Sequence, residues 1–167
     1  MHLDYISLFQ NFPKELAILL IAMIPIGELR ASIPIAIEGY NIPWYWAYFW
    51  SILGNTLIVA IILLFLEPVS IFLRKHIKLF DKFFTWLFER TRTKYKGRFE
   101  KWGSLALITF VAIPLPVTGG WTGALAAFLF GVPFKKALPL IFVGLLIAGV
   151  IVTLITTGVG VSVDALK

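Results

Sequence analysis

The sequence predicts an all-α integral membrane protein with two inverted repeats, on the basis of three observations. The 167-residue chain is 59% hydrophobic and only 14% charged, with mean hydropathy +0.90. A soluble domain carries about 25% charged residues, so this composition indicates a protein of the bilayer. Two apolar stretches are long enough to cross a membrane, and similar landmarks occur twice along the chain. We expect a single membrane domain over residues 1–167.

Two charge-free stretches are predicted to be transmembrane helices. Residues 44–66 would extend about 35 Å, and residues 137–157 about 31 Å, at the helical rise of about 1.5 Å per residue. Each therefore spans a hydrocarbon core of about 30 Å. The first stretch begins with an aromatic cluster typical of a membrane interface: Trp44, Tyr45, Trp46, Tyr48 and Trp50.

Each spanning stretch follows an interrupted apolar segment, and the two units share landmarks in the same order. Leu16 and Pro25 correspond to Leu105 and Pro114, and Pro43 and Gly54 correspond to Pro133 and Gly144. Repeats with interrupted segments are typical of transporters, whose sites lie where the breaks meet. We expect the repeats at about 14–66 and 104–158.

The interrupted segments are predicted to be re-entrant helical hairpins. In the first, apolar runs at 16–26 and 31–37 flank the break Gly27-Glu28-Leu29-Arg30. In the second, apolar runs at 105–113 and 121–130 flank a break rich in proline and glycine at 114–120. Such runs are too short to cross alone, and proline and glycine favour a chain reversal. The alternative is a broken helix that crosses; either arrangement must bury the break against protein or water.

The connection between the repeats, residues 67–103, is strongly basic. The positive-inside rule places it in the cytoplasm, and inverted hairpins then place both termini outside the cell membrane. Topology and anionic lipids explain this charge better than nucleic acid does. The connection holds ten of the fifteen Lys and Arg residues: Arg74, Lys75, Lys78, Lys82, Arg90, Arg92, Lys94, Lys96, Arg98 and Lys101.

An amphipathic helix is predicted within the connection, lying in the cytoplasmic membrane interface. A soluble coiled-coil dimer is the alternative. The prediction rests on apolar residues that recur at helical spacing: Leu73, Ile77, Phe80, Phe84 and Leu87.

Glu28 and Arg30 are the leading candidate functional residues, because they are opposite charges inside an apolar segment. A charge at the centre of a lipid-exposed helix costs about 2.5–3.5 kcal/mol, so both must face a cavity, a partner or each other. The second repeat has Val117 and Gly119 at these positions, so the repeat geometry does not require charges. We expect Glu28 to bind a coupling proton or sodium ion and Arg30 to bind a phosphate or carboxylate. The alternative is a salt bridge that only holds the hairpins together.

The second break is expected to line the same site. Its hydroxyls and free backbone N–H groups lie at the start of a half-helix, where the helix dipole favours anions. For Thr118 considered alone, a helix cap is the preferred role, and lining of the site is the other. The residues concerned are Thr118, Gly119, Gly120, Trp121 and Thr122.

Polar and small residues of the spanning stretches are expected to mediate packing. Asn55 and Ser51 are predicted to hydrogen-bond between helices, and lining of the ion site is the alternative for Asn55. Glu38 is expected at the surface. Glycines at four positions are expected to allow close helix contact: Gly144, Gly149, Gly158 and Gly160.

Several classes of chemistry have no signal in the chain. Cysteine is absent, and the two histidines are too scattered for a metal cluster. No phosphate loop, nucleophile elbow or metal-ligand spacing occurs. We therefore predict no enzymatic activity and no cofactor beyond a coupling ion, with a lipid-modifying enzyme as the weakest alternative.

Two motifs carry a family resemblance: Gly-Glu-Leu-Arg-Ala-Ser-Ile-Pro at 27–34 and Pro-Leu-Pro-Val-Thr-Gly-Gly-Trp-Thr-Gly at 114–123. With them the chain resembles the small multidrug export family over nearly its whole length and, more distantly, the DedA membrane proteins. The DedA resemblance implies facing re-entrant hairpins and translocation of phosphorylated polyprenyl carriers or phospholipids. It also implies functional roles for Glu28 and Arg30, although the second break departs from the DedA pattern in lacking an acid or arginine.

These features together predict a small transporter that uses a proton or sodium gradient to move an amphipathic anion, such as a phosphorylated lipid, or a small drug. The alternative is a membrane scaffold that does not transport, with Glu28–Arg30 as a structural salt bridge. Two full crossings are too few to surround a substrate. We therefore expect a homodimer or larger homo-oligomer among membrane lipids.

Overall fold

The computed structural model describes residues 9, 11–77, 82, 103–115 and 118–164. The regular secondary structure of these residues is helical. The helices are α1 (Lys14–Met23), α2 (Glu28–Pro34), which continues into a π-helical turn (Ile35–Gly39), α3 (Trp44–His76), α4 (Gly103–Ala112), α5 (Gly120–Phe130) and α6 (Phe134–Asp164). α3 lies at the centre of the fold, where it contacts α1, α2, α5 and α6.

Two helices in the described part of the chain are long and apolar enough to cross a membrane, as predicted. The candidate spans are Trp44–Phe72 within α3 and Phe134–Gly158 within α6. Only 33% and 39% of the residues in their most apolar windows are buried in the protein. Most of the residues in these windows are therefore not buried in the protein, as contact with lipid requires.

Both spanning helices are longer than the apolar stretches that predicted them. α3 continues past Leu66 to His76, through Glu67 and Pro68. Main-chain hydrogen bonds do not depend on apolar side chains, so a helix continues beyond the hydrocarbon-length stretch into polar sequence. The basic connection consequently begins within α3. The predicted amphipathic helix lies mostly outside the described residues.

Each interrupted segment contains two short helices. α1 and α2 contact one another, and α4 contacts α5 where Val111 packs against Gly123. The first break lies earlier than predicted: α1 ends before Ile24, which has extended backbone, and Glu28 already begins α2. The physical reason is Pro25, because the residue before a proline is disfavoured in helical conformation.

The contact between the first short helix and the spanning helix is the same in both halves. Gly54 of α3 packs against the backbone oxygen of Leu19 in α1, where a Cβ atom would overlap it. Gly144 of α6, which corresponds to Gly54, packs against α4, where a Cβ would lie 2.7 Å from Cβ of Val111 and 3.0 Å from the backbone oxygen of Ile108. Both glycines thus permit close approach of two helices, as predicted for Gly144.

The start of each spanning helix is also alike in the two halves. Asn41 and Gly131 have left-handed backbone conformation, with φ of 52° and 71°. Each lies two residues before a proline, Pro43 or Pro133, whose carbonyl accepts hydrogen bonds from the first turn of the span. Asparagine and glycine are the residues that adopt this conformation most readily.

The halves are joined by crossed packing. α2 packs on α6 and α5 packs on α3, so the second short helix of each half lies against the spanning helix of the other. A shared buried cluster fills this junction, with Ile33 from the first half and Ile141 and Leu145 from the second. The same packing brings Glu28, at the start of α2, against Gly120, at the start of α5.

The predicted packing roles of the small and polar residues are largely confirmed. Ser32 donates a 2.8 Å hydrogen bond to Ser51 between α2 and α3. Gly149 packs against Tyr48 of α3. The prediction is wrong for Gly158, because no atom of the described residues lies within 4 Å of the position of its Cβ; the surroundings of Gly160 lie outside the described residues.

Candidate functional site

The carboxylate of Glu28 lies at the point where the two breaks meet. Its Oε2 accepts a 3.0 Å hydrogen bond from the N–H of Gly120, and its Oε1 accepts one of 3.0 Å from Trp121. These are the first two residues of α5, whose N–H groups have no partner within the helix. The helix dipole also favours a negative charge at this end. The anion at the N-terminus of α5 is therefore a side chain from the other half.

Glu28 holds this position at a conformational cost. It is 4% exposed, and its φ of +48° lies in the left-handed region that residues other than glycine rarely adopt. Such a conformation costs about 1–2 kcal/mol. Charge-assisted hydrogen bonds to the carboxylate contribute about 1.5–3 kcal/mol each and offset that cost.

Arg30 binds the carbonyl groups of the same break. Its Nη1 donates to the carbonyl oxygen of Leu115 and its Nη2 to that of Thr118. The Nη2 atom lies 4.0 Å from Oε2 of Glu28, at the outer limit of an ion pair. The main partners of both charges are therefore backbone groups of the second break. The side chain of Arg30 is 27% exposed, so the site reaches the surface there.

Two glycines let the breaks approach this closely. Gly119 has φ 149° and ψ −162°, a conformation essentially restricted to glycine. A Cβ at Gly119 would overlap the Glu28 carboxylate, and one at Gly120 would overlap Oδ1 of Asn55. Neither position accepts a side chain without displacing the site.

The two threonines of the second break bond to backbone groups of that break, and Thr118 also lines the cavity beside Glu28 and Arg30. The residue that caps α5 is Gly119, and no side chain caps this helix, so the capping role considered for Thr118 is wrong. Instead, the Thr118 hydroxyl lies 2.6 Å from the carbonyl oxygen of Ile113 and accepts a 3.1 Å bond from the N–H of Leu115. It thereby closes the turn after α4. Thr122 turns back to the carbonyl of Gly119 at 3.4 Å.

The Trp121 side chain forms a second link between the halves. Its indole Nε1–H donates a 3.1 Å hydrogen bond to the carbonyl of Met23, at the end of α1. The sequence gives no sign of Met23 as a partner, because its contribution is a backbone carbonyl left unpaired at a helix terminus.

Asn55 is completely buried beside Glu28 and α5. Its Nδ2 lies 3.5 Å from Oε2 of Glu28, so it makes the predicted contact between helices. Its Oδ1 has no hydrogen-bond partner in the described structure and lies next to Gly120. A buried acceptor without a partner costs about 1–3 kcal/mol, so this oxygen is an unfavourable element of the site.

A small cavity of about 10 Å³ adjoins Glu28 and Arg30, with room for about one water molecule. The other half supplies apolar walls: Val111, Pro114, Leu145, Ala148 and Val152. No group of three or more His, Asp or Glu side chains lies together among the residues described, and Glu28 has only Arg30 as a charged neighbour at this cavity.

Comparison with protein families gives a match over most of the chain. The sequence profile of the family described as "Putative small multi-drug export protein" matches residues 28–151. This region begins at Glu28 and includes Arg30, Asn55 and the whole second break. No curated protein and no solved structure matches the chain. The distant resemblance to DedA proteins stays a prediction.

Proposed function

The chain belongs to the small multidrug export family, and from this premise we propose that it is a membrane transporter driven by an ion gradient. The family is named for export and is not an enzyme family. The observation that carries the proposal is the buried carboxylate of Glu28, held by the N-terminus of α5 where two interrupted segments meet. Discontinuous helices whose N-termini face a charge are the usual site architecture of secondary transporters.

The duplicated contacts support an inverted repeat. Gly54 and Gly144 make equivalent helix contacts, and Pro43 and Pro133 begin the spanning helices in the same way. Each half contributes one span, so the second half would enter the membrane with opposite orientation if the short helices form re-entrant hairpins. The crossed packing of α2 and α5 then provides two gates around one site.

Glu28 serves as the coupling-ion site in this proposal. An ionised carboxylate makes hydrogen bonds about twice as strong as those of a neutral group. Neutralising Glu28 therefore weakens its hold on α5 and its attraction to Arg30 at the same moment. The contact between the two breaks is then loosened, and rearrangement of this contact changes the side of the membrane to which the site opens.

Arg30 and the first N–H groups of α5 favour an anionic substrate. The planar guanidinium matches phosphate and carboxylate oxygens, and a helix N-terminus is a general anion site. A phosphorylated lipid fits both this chemistry and the apolar outer faces of α3 and α6, and a small drug is the alternative. The outward-facing residues include Leu57, Ile61, Leu64, Phe65, Leu154 and Ile155.

The proposal includes a membrane topology and an assembly. The basic connection lies on the cytoplasmic side of the cell membrane, and both termini lie outside. Two spanning helices enclose little space, so a homodimer or larger assembly completes the transport path among membrane lipids. Mass measurement of the detergent-solubilised protein tests this assembly, and a stable monomer would contradict it.

A membrane scaffold that does not transport is the second candidate function. It is favoured by the backbone partners of Glu28 and Arg30, which join the halves without any substrate. Exchanging the two charges does not separate the candidates. Such a swap would place a carboxylate against carbonyls and a guanidinium against N–H groups, so either function would be lost.

Flux into liposomes separates the two candidates. The wild type would be reconstituted with imposed proton or sodium gradients and offered a short-chain polyprenyl phosphate or a cationic dye. We expect a gradient to drive uptake of one substrate, and we expect Glu28→Gln and Arg30→Ala to abolish that uptake. Glu38→Gln is the matched control, because Glu38 belongs to the same segment but is exposed.

The folded state of each variant decides how the result is understood. Size-exclusion profiles and thermal unfolding in detergent would accompany the flux data. Lost uptake with a preserved fold supports the transporter. Absence of uptake by the wild type, together with strong destabilisation in both variants, contradicts transport and supports the scaffold.

A further inference from the structure

We propose that the carboxylate of Glu28 itself occupies the site where the substrate's anionic group binds. A substrate anion then binds there only when Glu28 is protonated. This inference rests on the proposed transport function and specifies how its ion and its substrate are linked. It makes the coupling ion a proton rather than sodium, with one proton bound for each anion.

The hydrogen-bond donors of the site already bond to the carboxylate of Glu28. The N–H groups of Gly120 and Trp121 both point to its carboxylate at 3.0 Å, and Arg30 lies 4.0 Å from it. A second anion at these N–H groups would displace the carboxylate or lie against it, and two like charges about 4 Å apart repel strongly in a buried site. Glu28 and the substrate therefore compete for the same donors.

Asn55 provides the hydrogen-bond acceptor that a protonated Glu28 requires. A protonated Glu28 needs an acceptor for its O–H, whereas the N–H groups around it offer only donors. Oδ1 of Asn55 is buried, has no partner and belongs to the amide whose Nδ2 lies 3.5 Å from Glu28. Rotation of the Asn55 amide about its Cβ–Cγ bond exchanges Nδ2 and Oδ1, so that Oδ1 faces the protonated acid. Glu28 is then held by α3, and the N-terminus of α5 is free for an anion.

The groups that face Glu28 favour a proton over a metal cation. Arg30 of its own helix is positively charged, α5 presents N–H groups, and α3 presents Asn55. The α4 and α6 side is apolar, formed by Val111, Leu145, Ala148 and Val152. Hard cations require several oxygen ligands, which these described neighbours do not supply. A proton requires one acceptor, and Asn55 supplies it.

Because the anion binds only after Glu28 is protonated, the proton and the anion cross the membrane in the same direction. The proton comes from water on the side to which the site is open, and the anion enters the vacated donors from that side. Release on the other side returns the proton to water and the carboxylate to α5. Proton and anion therefore cross together.

Anion binding measured at several pH values tests the inference. The probe is octyl sulfate, whose charge stays constant across mildly acidic to neutral pH, titrated by calorimetry into protein in an uncharged detergent. One coupled proton predicts that affinity falls by about tenfold per unit of rising pH. Replacement of potassium by sodium leaves the affinity unchanged. Glu38→Gln should behave as the wild type.

Two variants at the site sharpen the test. Glu28→Gln is neutral at every pH, so its affinity for octyl sulfate should equal the acidic value of the wild type and lose its pH dependence. Asn55→Leu keeps the branched shape of the side chain but removes the acceptor, so affinity at acidic pH should fall about tenfold because the protonated acid is left without a partner. Size-exclusion profiles confirm that each variant is folded.

Three results would overturn the inference: pH-independent binding in the wild type, tighter binding at higher pH, or no binding at any pH. Different results test the proposed transport function. If gradient-driven flux depends on Glu28 while octyl sulfate binding is independent of pH, transport stands and the competition does not. If the wild type shows no flux at all, the transport proposal itself is contradicted.

Discussion

The site depends on the absence of a side chain at Gly119. Its backbone conformation is strained for any other residue, and its Cβ would occupy the space of the Glu28 carboxylate. A single methyl group at this position therefore acts on both charges, because Arg30 Nη2 also lies 3.0 Å from the Cβ position. The close contact of the two breaks is thus decided at one residue.

We predict that Gly119→Ala destabilises the protein by about 1–3 kcal/mol through backbone strain, with a further steric contribution. Gly158→Ala is the matched control: no described atom lies within 4 Å of its Cβ position in α6, so it should be neutral or gain about 0.5–1 kcal/mol. Thermal unfolding in detergent measures both. Equal midpoints for the two variants would contradict the account of Gly119.

The sequence identifies which residues meet at the site but not which atoms bond. Glu28 and Arg30 are conspicuous as charges in an apolar segment, and prolines and glycines mark the second break. Their partners could not be predicted, because backbone groups such as the carbonyl of Leu115 leave no trace in residue type. The same limit applies to Thr118, whose hydroxyl suits a helix cap and a turn equally well.

At the scale of elements, the short helices and spanning helices meet through glycine in both halves. Gly54 and Gly144 occupy corresponding positions and face corresponding backbone oxygens, those of Leu19 and Ile108. Elements were well predicted where the signal is a continuous apolar run. Their ends were not, since Pro25 rather than Gly27 sets the first break and α3 continues into charged sequence.

We predict that Gly54→Ala and Gly144→Ala are both destabilising, each by about 1–3 kcal/mol, because the added methyl group forces two packed helices apart. Urea or thermal unfolding of the purified variants measures the effect. We expect losses of similar size in the two halves. A clear loss in one variant and none in the other would contradict the equivalence of these contacts.

At the scale of the whole molecule, the proposed inverted repeat fixes which parts share a side of the membrane. The chain has no cysteine, so single cysteines report position without background. We predict that a membrane-impermeant thiol reagent labels His2→Cys and Lys167→Cys in intact cells. Lys94→Cys, in the basic connection, should react only after permeabilisation. Labelling of the two termini from opposite sides would contradict the topology.

The whole molecule also determines what the buried charge can do. Glu28 and Arg30 join the two halves through backbone groups, so a change in the charge of Glu28 acts on the contact between halves rather than on one helix. Transport and scaffold functions share this contact. They differ in whether it opens when Glu28 is neutralised.

The most direct test of that difference is the internal pH of weakly buffered proteoliposomes after an inward gradient of octyl sulfate is imposed. We predict acidification with the wild type and with Glu38→Gln, above the level of protein-free liposomes, and none with Glu28→Gln, because only an ionisable residue 28 carries a proton with the anion. Acidification by Glu28→Gln equal to that of the wild type would contradict the assignment of Glu28 as the coupling site.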